Sequence, residues 1–180
     1  MAGHLITAFE PFGRVRGHLL HRNASLDLLR GLQGTGRTAA NASFALLPVS
    51  EAGPARLAAL LESLQPRAVL CLGESGRLPP GSVHIEPLAV AGDNFHCSAA
   101  ARCLIRLRRQ SGYSGIGRYY CNRTYLEVLD WSRRPGSGAA VFVHVAVAGS
   151  RRAQLREVTE ILRGLLQFSR SRPGVSVPAR

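Results

Sequence analysis

Strands alternating with helices along a chain of 180 residues predict an α/β protein, built as a three-layer α/β/α sandwich around a mostly parallel open sheet. Two runs, "PRAVLCLG" at 66–73 and "GAAVFVHVAV" at 138–147, are apolar almost throughout, as strands covered on both faces must be. Segments such as "AGPARLAALLESL" repeat apolar residues every three or four positions, as helices lying on such a sheet do.

The elements follow in order. "HLITAF" is a first strand, ended by the Pro and Gly of "EPFG". "NASLDLLRGL" has a helix start at Asn23 or Ser25 and then Leu26, Leu29 and Leu32 at helical spacing. "SFALLPVS" is a second strand, and the next helix carries Pro54 near its first turn, where a missing N–H costs nothing. After "PRAVLCLG", the Gly and Pro content of "ESGRLPPGS" predicts a loop, and "VHIEPLAV" has strand character broken by Pro87. "SAAARCLIRLRR" is helical and "YSGIGRYY" strand-like. A helix over roughly 122–132 comes next, then the apolar strand and the long helix "RRAQLREVTEILRGLLQF". No internal repeat or second domain is expected. Residues 1–168 read as one domain and 169–180, "SRSRPGVSVPAR", as a flexible tail.

A chain of this length buries a core without disulfides or a structural metal. The four cysteines, Cys71, Cys97, Cys103 and Cys121, show no CxxC spacing, and no leader or long apolar run is apparent; free thiols and a cytoplasmic setting without membrane contact are therefore expected. The formal charge of +12 and pI of about 11.2 are weaker evidence for nucleic acid than they look. All 23 basic residues are Arg, none is Lys, and they are spread along the chain, so no nucleic-acid partner is expected.

Chemistry in an open α/β sheet collects at the carboxyl ends of strands. Four features fall there: the "FEPFG" loop, Glu86, Cys121 and His144. Cys121 precedes a helix, where unpaired N–H groups and the dipole favour a thiolate. His144, inside an apolar strand, is the imidazole to pair with it, and Glu86 the carboxylate to orient that imidazole. Each has an inert alternative: Cys121 as packing, His144 as a core histidine bonded to backbone, Glu86 as a solvated residue of an edge strand. Cys71, between two leucines, is read as core. The remaining histidines form no HExxH-like pattern, and no GxGxxG or Walker loop follows a strand, so neither a metal nor another cofactor is expected.

Taken together, the motifs resemble those of the pyroglutamyl peptidase I (pyrrolidone carboxyl peptidase) family of cysteine peptidases. "ITAFEPFG" resembles that family's N-terminal motif, "RNAS" its Asn-Pro-Ser element with Ala24 for Pro, and "LLPVS" and "QPRAVLCLGESGR" its next strand motifs. "HIEPLAV", "GRYYCN" and "VFVHVA" are similar to the segments carrying its Glu, Cys and His. The resemblance runs from about Leu5 to the last helix. It implies a phosphorylase/hydrolase-like α/β/α fold and a Cys121, His144 and Glu86 triad that removes N-terminal pyroglutamate from small peptides. It also implies that Phe9, Phe12, Gly13 and Asn122 take part in binding substrate, and that a homo-oligomer is a candidate assembly. The chain departs from the family between Glu86 and Cys121: it keeps Asp93 and Asn94 but lacks an Asn, an Arg associated with the active site, and most of a hairpin-like insertion. Arg77 and Arg118 are the candidates to replace that Arg. Two other functions stay open on these departures: a binding protein that retains the scaffold without turnover, and a hydrolase of another small acyl or lactam substrate.

Overall fold

The computed structural model describes residues 3–12, 14–15, 18–19, 23–34, 41–110 and 119–171. Along the chain these form β1 (His4–Phe9), β2 (Arg14–Val15), β3 (His18–Leu19), α1 (Ala24–Gln33), β4 (Ala42–Leu47), α2 (Ala52–Leu64) and β5 (Ala68–Ser75). There follow β6 (Val83–Ile85), β7 (Leu88–Ala91), β8 (Asn94–Cys97), α3 (Ala99–Arg108), α4 (Tyr120–Ser132), β9 (Ala139–Ala146) and α5 (Arg151–Arg170).

The central sheet has the order β4-β1-β5-β9-β6, parallel except for β6, which runs antiparallel to β9 along the edge. Alternate side chains divide the core in two. Ile6, Leu70, Val141 and Val143 face α1, α3 and α5, while Leu5, Val69, Cys71 and Phe142 face α2 and α4. This is the expected α/β/α sandwich with its mostly parallel sheet. β9 is covered on both faces and paired on both sides, so all eight of its residues are buried, as its unbroken apolar sequence requires. The separate hairpin of β7 and β8 packs on the α4 side through the buried Ala89.

Several boundaries move from their sequence positions. Glu74 and Ser75, expected in a loop, extend β5 because the register with β9 continues through Val145 and Ala146. Tyr120, expected in a strand, is already in α4; residues 113–118 of that expected strand, with Arg118, lie outside the described residues. α5 runs to Arg170, two residues into the expected tail, where Ser169 Oγ donates to Arg67 O at 2.6 Å; residues 172–180 lie outside the described residues. Among the described residues, no helix is long and apolar enough to cross a membrane.

Candidate active site

The chain passes from β1 to β4 on one side of the sheet and to β5 on the other, so the topological switch lies between the carboxyl ends of β1 and β5. A cavity of about 410 Å³ opens there. Its walls come from the loop after β1 (Phe9, Phe12), the end of β5 (Glu74, Ser75, Gly76, Arg77), the first turn of α4 (Tyr119, Tyr120, Cys121) and His144 of β9.

The loop after β1 is fixed by the "RNAS" element. Asn23 caps α1 by accepting from Ser25 N at 3.0 Å, and its amide donates to Glu10 O at 3.2 Å. Ser25 Oγ donates to Asn23 Oδ1 at 2.7 Å and accepts from Phe9 N at 3.3 Å, which ties the loop to the helix start. Glu74 Oε2 accepts from Ala24 N at 2.5 Å, placing a carboxylate at the positive end of α1.

His144 and Glu86 meet at 2.6 Å between Nδ1 and Oε1, both buried. The bond fixes the imidazole by its inner nitrogen. A buried pair of this kind gives a fold little: replacement by well-packed apolar residues is often neutral or stabilising by about 1–4 kcal/mol, so this pair is better explained by chemistry than by stability. Glu86 is no solvated edge residue. Its N–H donates to Phe142 O at 2.9 Å and its carbonyl accepts from Tyr125 Oη at 3.1 Å, while Oε2 is buried with no hydrogen-bond partner among the described residues. Gly73 lies opposite His144 in the register, where a Cβ would stand 2.8 Å from the Phe142 ring and 3.0 Å from His144 Cδ2. Only glycine leaves room there for the imidazole and the ring that packs edge-on against it at 5.0 Å.

Cys121 sits in the first turn of α4, whose start carries no side-chain cap at Tyr119. Asn122 N and Arg123 N both bond Tyr119 O, and the Cys121 N–H is directed toward its own sulfur. The expected thiolate is not what the site favours at rest. Burial first, and then the nearby Glu86 charge, push the thiol up to about 12, against a lesser lowering by its own backbone N–H. The helix start alone does not overcome that desolvation.

The sequence-designated residues therefore divide. Cys121, His144, Phe9 and Phe12 share the cavity wall, and Glu86 stands behind the imidazole. Phe9 is buried, whereas Phe12 is half exposed at the rim beside Tyr119. Gly13 lies outside the described residues. Asn122 does not face the cavity: its amide is spent on Val90, accepting from N and donating to O at 2.7 Å each, so both polar ends are occupied within the protein. Cys71 is core, as expected, and its thiol is likewise pushed up to about 12 by burial. Arg77 is exposed at the cavity mouth. Tyr125 and Gln110, which hold the segment around Glu86, carried no sequence signal, because tyrosine and glutamine on helices are unremarkable until their partners are known.

This geometry was compared with solved structures. The chain superposes on pyrrolidone carboxyl peptidase from Thermococcus litoralis with TM-score 0.68 and 21% identity, covering 99% of this chain and 100% of that one. Pyroglutamyl peptidase I from Bacillus amyloliquefaciens gives TM-score 0.71 and 16% identity, covering 94% and 98%. The protein has the pyrrolidone carboxyl peptidase fold. A mutant pyrrolidone carboxyl peptidase from Pyrococcus furiosus matches at TM-score 0.66 and 20% identity over 92% of this chain and 99% of that one. No protein-family model matches the sequence, and no curated protein matches it significantly. The pyrrolidone carboxyl peptidase fold thus persists here at an identity that hides it from sequence comparison.

Proposed function

We propose that the protein is a cysteine peptidase that removes pyroglutamate from the N-terminus of small peptides, with Cys121 as nucleophile, His144 as acid and base, and Glu86 as the group that orients the imidazole. The observation that carries this reading is the buried Glu86–His144 pair at 2.6 Å, with His144 and Cys121 on the wall of one cavity at the switch point of the sheet. The likeness to pyrrolidone carboxyl peptidases supports the substrate class, and the apolar Phe9 and Phe12 suit a flat, uncharged lactam ring. Free cysteines suit the reducing cytoplasm proposed as its location.

The steps follow from the resting state. The Cys121 thiol is neutral, so the imidazole, its Nδ1 engaged by Glu86, takes the thiol proton on Nε2 as sulfur attacks the pyroglutamyl carbonyl. The oxyanion that forms finds its donors in the uncapped N–H groups at the start of α4. The imidazolium passes its proton to the departing amine, leaving an acyl-thioester. Water, deprotonated by the same nitrogen, attacks the thioester, and collapse returns the proton to sulfur and releases pyroglutamate.

Release of fluorophore from pyroglutamyl-aminomethylcoumarin under reducing conditions tests the reading. Turnover by the native chain that falls about 10⁴-fold or more in Cys121→Ser is the expected result. A second reading, a binding protein on this scaffold, has one observation in its favour: the thiol held protonated well above neutrality. A folded native chain that binds pyroglutamyl peptides without cleaving them would establish it instead.

A further inference from the structure

Among the described residues, the segment leading to Glu86 is the edge of the sheet, and its outward backbone groups face no further strand. β6 gives β9 the bonds of its inward side, including Glu86 N to Phe142 O and Ala146 N to Ser82 O, which turns Ile85 N and O away from the sheet. A side chain pairs with that edge. Gln110 Oε1 accepts from Ile85 N at 3.0 Å, and Gln110 Nε2 donates to Ile85 O at 3.0 Å.

Gln110 is delivered to that edge by the end of α3. Arg109 adopts the left-handed conformation, φ 50° and ψ 33°, rare for a residue with a Cβ, and Gln110 N bonds back to Ile105 O at 3.1 Å, closing the helix and turning the chain toward β6. The two bonds to Ile85 leave no ambiguity about which end of the amide is nitrogen, since a flip would set N–H against N–H and oxygen against oxygen. The second hydrogen of that NH₂ group points to His84 Nε2 at 3.2 Å. An amide NH₂ only donates, so His84 Nε2 is the acceptor of this bond and the ring proton sits on Nδ1.

That tautomer matters because of where His84 stands. It lies directly opposite His144 in the antiparallel register, and both residues, alternating with core positions of the other face, point to the α4 side of the sheet. Residues so paired have Cβ atoms about 5 Å apart. The bond from Gln110 therefore fixes the ring that is the cross-strand neighbour of the imidazole Glu86 holds.

We propose that Gln110 is a positioning residue of the triad: its amide pairs with Ile85 as a ladder partner would and so sets Glu86, and its NH₂ group fixes the His84 ring beside His144. The inference rests on the peptidase reading for its kinetic consequence but not for its structural one. The experiment is therefore ¹⁵N-imidazole NMR on the full chain, with pyroglutamyl-aminomethylcoumarin kinetics in parallel, for native, Gln110→Leu and Gln110→Glu proteins. The native protein is expected to show His84 with Nε2 unprotonated and a downfield proton on His144 Nδ1. Gln110→Glu is expected to protonate His84 Nε2, since the introduced carboxylate accepts where the amide donated. Gln110→Leu is expected to broaden or shift the His144 Nδ1 proton and to lower kcat about tenfold with KM within about twofold. Loss of kcat without change at either imidazole, or a native His84 already protonated on Nε2, overturns the proposal. If Gln110→Leu does not fold, the tautomer in Gln110→Glu decides alone. Absence of turnover in the native chain sinks the peptidase reading while the NMR result still tests the role of Gln110.

Discussion

His144 and Glu86 touch each other, yet the molecule holds them by opposite means. His144 belongs to β9, paired over eight positions with β5 on one side and with β6 on the other, and buried throughout. Glu86 lies between two short strands, interrupted by Pro87, and is held by one ladder bond to Phe142 and by side chains: Tyr125 on its own carbonyl, Gln110 on Ile85 before it, Asn122 on Val90 after it. A ladder is redundant, and losing one bond shifts little. Side-chain props are single, so each is a point where orientation of the acid fails while the fold survives.

The comparison is broken most directly at its centre. Glu86→Gln is expected to keep the fold but lower kcat by about 10²- to 10⁴-fold, because an amide stabilises neither the imidazolium nor the required tautomer; turnover of pyroglutamyl-aminomethylcoumarin beside a urea melt checks it. On the ladder side, Gly73→Ala places a methyl group against Phe142 and His144, and overpacking of that kind is expected to cost about 1–3 kcal/mol of stability. Equal stability and activity in that variant would show that β9 is softer than its burial suggests. On the propped side, Tyr125→Phe removes the hydroxyl that donates to Glu86 O and also meets Ser98, a loss of about 1 kcal/mol by denaturation, with a proportionately larger fall in kcat than Gly73→Ala produces per unit of stability.

The smallest effect concerns pH. Both Cys71 and Cys121 are pushed up to about 12 in the folded protein from an ordinary value of 9.0, so the folded state keeps protons that the unfolded chain gives up. The stability tied to these neutral thiols is whole below the unfolded value and is lost as pH rises toward the folded one. The urea midpoint is expected to fall as pH rises from about 9 toward about 12, less steeply in Cys121→Ser. Alkylation of native Cys121 by iodoacetamide should accordingly be slow at neutral pH, unlike that of a preformed thiolate.

The sequence by itself determined the layers and most of the elements. Unbroken apolar runs at 66–73 and 138–147 have no stable place except strands with cover on both faces, and periodic leucines at 26, 29 and 32 have none except one face of a helix. It also offered Cys121, His144 and Glu86 as candidates, because they fall near the carboxyl ends of strands and lie in segments that resemble the motifs of a peptidase family. Other features were decided only by the tertiary structure. Glu74 and Ser75 look like a loop and become strand because a register begun in the core carries them along. Asn122 looks like a substrate ligand and becomes a backbone clamp, since Val90 approaches it across 32 residues of chain. The thiol of Cys121 starts a helix, which favours ionisation, and is half-buried near a carboxylate, where desolvation and charge oppose it more strongly. Local pattern fixes what a segment prefers; the competition among desolvation, charge and distant hydrogen-bond partners is settled only when the segments meet.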